Sequence, residues 1–235
     1  MGQCRPAIGE KLMRVIIIGG VAGGMSAATR LRRLDESAEI IVLEKSGHVS
    51  YANCGLPYYV GGVIENEKDL LLQTPASLHA RFRLDVRVST EVLAINPSKK
   101  VVAIKNLITG ETSEMDYDKL ILSPGASPVV PPIPRIERGM TLRTVEDVER
   151  ITNRVNEKPT NAVVIGGGFI GVEIAENLIR RGIKTALVEA MPQVLAPLDP
   201  EPKVVIGDAI TGAFDALPGF ESISNNSTNS TIIAQ

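Results

Sequence analysis

The residues best able to do chemistry fall in three places along this chain. Cys54 lies in Ser50-Tyr51-Ala52-Asn53-Cys54-Gly55-Leu56-Pro57-Tyr58-Tyr59 and is one of only two cysteines. A thiolate is a nucleophile and a redox centre, but free cysteine is also among the most buried residue types. Taken alone, Cys54 reads first as a packed small side chain. The other two places are glycine fingerprints on either side of it. Gly19-Gly20-Val21-Ala22-Gly23-Gly24 precedes it and Gly166-Gly167-Gly168-Phe169-Ile170-Gly171 follows.

In a dinucleotide-binding turn the first glycine permits the tight bend and the second admits the pyrophosphate. The third lets helix and strand pack, and the helix N-terminus attracts phosphate. Gly166, Gly168 and Gly171 fill all three positions, with Phe169 and Ile170 between them. Glu189 then falls 18 residues past Gly171, the place of a ribose-binding acid. Such a carboxylate accepts hydrogen bonds from ribose hydroxyls and repels a 2′-phosphate, so NADH is expected over NADPH. The first fingerprint is less regular. Gly19 and Gly24 take the first and third positions, but Val21 takes the second, with Gly20 and Gly23 placed to compensate. Glu44, 20 residues beyond Gly24, completes the pattern, which reads otherwise as a glycine turn of an ordinary α/β sheet. Two dinucleotide sites with a thiol between them suggest electrons passing from a nicotinamide through a flavin to sulfur.

The elements needed to position these residues are legible. Val15-Ile16-Ile17-Ile18 is a β-branched run suited to a parallel strand buried on both faces. Met25 to Leu34 reads as a helix and Ile40 to Leu43 as a second buried strand ending at Glu44. A short helix is expected in the cysteine loop, a helix at Ser77 to Phe82 and a strand at Asp85 to Val88. Val92 to Asn96, Val101 to Leu107 and Thr112 to Met115 read as a small antiparallel meander, and Lys119 to Leu122 returns as a buried strand. Prolines 128, 131, 132 and 134 mark a stiff linker. Thr144 caps a helix from Val145 to about Val155. A second strand–turn–helix–strand unit runs from Ala162 to Glu189. The fold class expected is α/β, with two Rossmann-like units and a small antiparallel meander. The expected domains are a leader over 1–12, a first nucleotide domain over 13–127, a linker over 128–143, a second over 144–220, and a flexible tail over 221–235.

Bulk properties narrow the function classes. At 235 residues, 44% hydrophobic and 22% charged, the chain has ordinary globular composition. A net charge of -2 gives no reason to expect a nucleic acid or membrane partner, and 3% aromatics with no Trp offers no base-stacking platform. Cys4 and Cys54 make no disulfide framework, so a cytoplasmic setting is expected. Residues 1 to 11 lack the apolar run of a signal peptide.

With these motifs in hand, Met13 to about Pro200 resembles the pyridine nucleotide-disulfide oxidoreductases, in the single-cysteine branch of coenzyme A-disulfide reductases, NADH-dependent persulfide reductases and NADH oxidases. The matching segments are Gly19 to Gly24, Ser50 to Pro57, Leu122-Ser123-Pro124-Gly125-Ala126, Leu142-Arg143-Thr144 and Gly166 to Glu173. The resemblance implies FAD on the first turn, with Glu44 on the ribose and Lys45, Val92, Asn53, Ser123, Pro124, Gly125 and Arg143 near the cofactors. It implies NADH on the second turn and Cys54 beside the flavin. Because Val49 stands five residues before Cys54, the C-x-x-x-x-C pair of other branches is absent, and the thiol must cycle through a mixed disulfide, persulfide or sulfenic acid.

By the same resemblance, Ser26, Arg30, Arg33, Ser50 and Asn53 fall on coenzyme A contacts, so the expected partner is a small sulfur substrate, coenzyme A disulfide or a persulfide. Arg30 and Arg33 read equally well as solvated helix charges. A basic contact of the family falls on Phe82, flanked by Arg81 and Arg83. Family chains are about twice as long and form homodimers through a further C-terminal domain, which is expected to be missing here. Val204 to Asp208 reads either as a strand of the second unit or as an echo of a later FAD motif. A nucleotide-binding fragment without turnover is the competing reading of the whole.

Overall fold

A computed structural model describes residues 12–133, 135–190 and 194–195, with the backbone of 230–234. The elements in chain order are β1 (Arg14–Ile18), α1 (Ala22–Leu34), β2 (Glu39–Leu43), α2 (Leu56–Val60), α3 (Pro75–Phe82), β3 (Asp85–Arg87), β4 (Thr90–Asn96), β5 (Val101–Asn106), β6 (Thr112–Asp116), β7 (Lys119–Leu122), α4 (Val145–Asn156), β8 (Asn161–Ile165), α5 (Phe169–Arg180), β9 (Lys184–Val188) and β10 (Ser230–Ala234). Two compact units result, one from Met1–Tyr51 with Leu71–Ala126, the other from Ala52–Leu70 with Ser127–Gln235.

The first unit is a parallel sheet in the order β3-β2-β1-β7. Val15, Ile16 and Ile17 are at most 2% exposed, as a β-branched run covered on both faces should be. Val15 and Ile17 pack with Met25 and Ala28 of α1 and Leu78 of α3. Ile16, Ile41 and Leu43 pack on the other face with Val102, Ile104 and Tyr117, so the β4-β5-β6 meander roofs that side. Each such side chain contributes about 1.5–3 kcal/mol by leaving water. β1 lies between β2 and β7 in an all-parallel sheet, so the strand order reverses at β1, the place where open α/β sheets bind ligands beyond their strand ends.

Arg32, which lies between the exposed Arg30 and Arg33 in the sequence, is 8% exposed. Its guanidinium donates to the carbonyls of Asp35, Glu36, Ala38, Phe82 and Arg83 at 2.8–3.3 Å. It thereby ties the end of α1 to the end of α3.

The second unit repeats the plan with the order β10-β8-β9. Thr144 and Asp147 form a reciprocal capping box at the start of α4. Two expectations change here. Residues 52–70 cluster with this unit rather than with 13–51, because α2 packs on α4 and α5. The flexible tail is also revised: Ser230–Ala234 pairs in parallel with β8, from Ser230↔Asn161 to Ala234↔Ile165. The β-branched run Thr231-Ile232-Ile233 suits a strand, and β8 without it would be a sheet edge. A 3-10 turn at Ile136–Arg138 follows the proline-rich stretch. Cys4, the leader over 1–11, Val204 to Asp208 and the tail over 221–229 lie outside the described residues.

Candidate functional site

The two glycine turns are built on one set of bonds. At the first, Gly19 has φ +100° and its N–H donates to Leu43 O at 2.8 Å. At the second, Gly166 has φ +105° and donates to Val188 O at 2.8 Å. These left-handed angles suit glycine. The next amide binds the acid that ends the following strand: Gly20 N–H to Glu44 Oε2 at 2.6 Å, Gly167 N–H to Glu189 Oε2 at 2.5 Å. A Cβ at either position would press on that acid and on a valine five residues further, Val49 at 2.7 Å or Val194 at 2.9 Å. The carbonyls are used alike, Gly20 O accepting from Ser50 N–H at 2.9 Å and Gly167 O from Leu195 N–H at 2.7 Å. Ser50 and Leu195 both hold positive φ, +49° and +55°. The sequence expects both acids on ribose hydroxyls, and the structure gives each of them a turn amide as partner. Gly167 and Val194 it does not single out, and Val49 it notes only as standing where a second cysteine would be; the signal for all three is the repeated spacing of acid, valine and next residue.

Val21 is the residue before α1, at φ −103° and ψ −140°, with no side-chain cap. Gly168 holds the same place before α5, at φ −72° and ψ −177°. Neither conformation is left-handed, so backbone geometry demands glycine at neither. Ala22 and Gly23 in the first turn of α1 are exposed, as are Phe169 and Ile170 in the first turn of α5. The amides of both first turns have no intrahelical acceptors. Gly24 and Gly171 are buried, and a Cβ on Gly24 would lie 1.7 Å from Gly19 O.

Around the first turn, Ser123 N–H donates to Ile18 O at 2.7 Å, and Ser123 O would lie 2.0 Å from a Cβ on Gly19. The chain therefore brings Ser123-Pro124-Gly125 past Gly19, with Gly125 at φ +72°. A cleft of about 170 Å³ opens here, lined by Gly19, Glu44, Lys45, Glu91, Val92 and Pro124 among others. Lys45 Nζ sits 2.7 Å from Glu91 Oε1 at its rim. Glu44 also accepts Ser46 N–H at 2.8 Å through Oε1. Ser26, Arg30 and Arg33, at helical spacing of four and three, are all exposed on α1.

In the second unit, Cys54 is exposed, which removes the reading of it as a packed small residue. It occupies a 3-10 turn, Asn53–Gly55, that leads directly into α2. Asn53 Oδ1 is buried and has no partner among the described residues, an arrangement found where a ligand or water completes the bonding. Arg143 N–H donates to Asp147 Oδ2 at 2.9 Å, so its backbone belongs to the α4 cap. On α5, burial and the neighbouring Glu176 push the Glu173 carboxyl above the ordinary glutamate range.

Comparison with known proteins agrees with this geometry. The family model described as pyridine nucleotide-disulphide oxidoreductase matches residues 13–213. A coenzyme A disulfide reductase of Staphylococcus epidermidis is 38% identical over 202 residues, covering 84% of this chain and 45% of that protein. One from Staphylococcus haemolyticus is 36% identical over 200 residues, covering 85% and 45%. Among solved structures, reduced Bacillus anthracis CoADR-RHD has a TM-score of 0.83 at 44% identity, over 96% of this chain and 38% of that one. A NAD-dependent persulfide reductase from A. fulgidus has a TM-score of 0.80 at 33% identity, over 94% and 40%. The chain thus spans somewhat less than half the length of the curated relatives it matches. Among the described residues no helix is long and apolar enough to cross a membrane.

Proposed function

Because the chain belongs to the pyridine nucleotide-disulphide oxidoreductase family, we propose that it holds FAD at Gly19–Gly24 and NADH at Gly166–Gly171 and acts on a sulfur substrate through Cys54. The observation that carries this reading is the repeated turn-and-acid geometry combined with an exposed thiol. The residues fit the two groups. Both turns offer helix-start amides and glycines where a Cβ would intrude, and a cleft opens beside Glu44, Lys45 and Val92. Ser123 and Pro124 wall the first turn. Glu44 and Glu189 each hold a turn amide, and a carboxylate oxygen can accept more than one hydrogen bond, so ribose hydroxyls suit the same two acids.

When bound, the flavin supplies hydride acceptance from NADH and a two-electron return to sulfur. The chain's own part is nucleophilic. The Cys54 thiolate attacks one sulfur of a disulfide R–S–S–R′, forming Cys54–S–S–R and releasing R′S⁻, which takes a proton. Two electrons and one proton then cleave the mixed disulfide to R–SH and the Cys54 thiolate. A persulfide R–S–SH enters the same cycle with hydrosulfide as the leaving group. Ser26, Arg30 and Arg33 offer hydroxyl and guanidinium donors along one exposed side of α1, suited to a phosphate-bearing thiol such as coenzyme A. Glu189 favours NADH over NADPH through repulsion of a 2′-phosphate.

The test is turnover with coenzyme A disulfide, a persulfide and oxygen as separate acceptors, in protein reconstituted with FAD. Cys54→Ser is expected to lower NADH-dependent reduction of the sulfur acceptors by at least about 10³-fold. Undiminished sulfur reduction in that variant removes Cys54 from the reaction. Oxygen as the only productive acceptor moves the reading to an NADH oxidase, and protein that takes up no FAD refutes the reading for this chain.

A further inference from the structure

α2 is five residues long, too short to hold a direction by its own hydrogen bonds. Its orientation comes from its neighbours, and the contacts are unusual. Leu56, Pro57 and Val60 are buried. The Arg181 guanidinium, just past α5, reaches Val60 O at 3.5 Å and Asn156 Oδ1 of α4 at 2.6 Å. Asn177, inside α5, is 1% exposed. Its amide donates back to Glu173 O at 2.8 Å, and its Oδ1 is buried with no hydrogen-bond partner among the described residues.

That oxygen points at Gly61, the residue that ends α2. A Cβ on Gly61 would lie 1.9 Å from Asn177 Oδ1 and 2.9 Å from Asn177 Cβ. Gly61 has φ −70° and ψ −12°, a helical conformation open to any residue. Glycine is therefore required there by the approach of Asn177, not by the turn. A buried unpaired amide oxygen is unfavourable, and leucine would fill such a helix position without that penalty. The contact joins two elements of separate use: α5, whose start closes the second glycine turn, and α2, which directly continues the Cys54 turn.

We infer that Asn177 and Gly61 are positioning residues for the thiol, setting the place of the Cys54 turn from α5. This rests on the reading of Cys54 as the reactive group. If α2 is displaced from Asn177, the turn Asn53–Gly55 moves with it, because its last residue hands directly to Leu56. Thiol reactivity depends on access and on the groups around the sulfur, so the displacement is read at Cys54 itself.

The experiment measures the second-order rate of Cys54 alkylation by iodoacetamide in a Cys4→Ser background, with the thermal midpoint recorded beside it. Gly61→Ala is expected to change the rate by about fivefold or more through the displaced turn. Asn177→Ala, which only removes atoms, is expected to change it about threefold. Combining the two places a methyl where the amide was, and the rate is expected to return to within about twofold of the parent. Rates unchanged in both single variants, or a double variant no closer to the parent than Gly61→Ala, overturn the inference. If Gly61→Ala does not fold, Asn177→Ala decides alone: a midpoint that falls while the alkylation rate stays constant marks a purely structural contact and overturns it. Alkylation needs no turnover. Loss of the redox reading would show as an active Cys54→Ser variant, whereas loss of this inference shows only in these rates.

Discussion

The turns at Gly19–Gly24 and Gly166–Gly171 share their bonds and differ in what they leave open. In both, a left-handed glycine bends the chain, the next amide binds an acid, and the next carbonyl accepts from a residue of positive φ six positions past that acid. The second fingerprint position is where they part. Val21 and Gly168 hold non-left-handed conformations that either residue type can adopt. The framework thus fixes glycine where the chain touches itself, and leaves the second fingerprint position to whatever approaches from outside. After it, Ala22 and Gly23 give the first helix a low surface, while Phe169 and Ile170 give the second an apolar one, 54% and 39% exposed. One backbone device presents two different faces.

The largest effect expected from this comparison is at Gly24. Gly24→Ala places a methyl 1.7 Å from Gly19 O, and the first unit should lose more than about 3 kcal/mol in urea unfolding. A loss under about 1 kcal/mol would mean the turn relaxes freely and does not set its own geometry. Next are the acids. Glu44→Ala and Glu189→Ala each remove a charged acceptor from a turn amide and should each cost about 1.5–3 kcal/mol. Glu189→Ala should also narrow the preference for NADH over NADPH. Equal stability losses support the equivalence of the turns, and a loss at only one breaks it.

Gly168→Val then makes the second turn imitate the first. It should raise the NADH KM about tenfold, or about 1.4 kcal/mol, while the unfolding free energy changes by less than about 1 kcal/mol. A large stability loss with unchanged KM would show that Gly168 serves packing rather than ligand approach. The smallest expected effect is in pH. Ser37 hydrogen bonds hold the Asp35 carboxyl below the ordinary aspartate range. Its stabilisation is therefore present above the ordinary aspartate value and lost as pH falls through the lowered one. Glu173 is raised by burial and by Glu176. Its contribution is full below the ordinary glutamate value and is lost as pH rises through the raised one. Relative to parent, Asp35→Asn should be less stable at neutral pH with the gap closing in acid, and Glu173→Gln should gain as pH rises above the ordinary glutamate value. Denaturant midpoints against pH check both, and parallel curves would refute the opposite signs.

How much was legible follows from which interactions are local. The strand of Val15 to Ile18, the glycine spacings, the acids at Glu44 and Glu189, and the cap at Thr144 are properties of residues near in sequence, and they were read directly. Arg32 was not, because nothing local separates it from Arg30 and Arg33; the carbonyls that bury it come partly from Phe82 and Arg83, some 50 positions away. The exposure of Cys54, the valines behind the two turns and the pairing of Asn177 with Gly61 were hidden for the same reason. Ser230–Ala234 reads as part of a flexible tail because the composition around it is polar, and its pairing with β8 depends on a partner far up the chain.

The sequence by itself determined the repeated strand–turn–helix plan, the glycines a tight bend requires and the acids that answer them, since hydrophobic period and backbone freedom act within a few residues. Tertiary structure alone decided that the Cys54 segment packs with the second unit, which arginine is buried, and which glycine is there for room rather than for angle. Those outcomes depend on the approach of elements distant in the chain, where the space left between packed surfaces, and not local propensity, selects the residue.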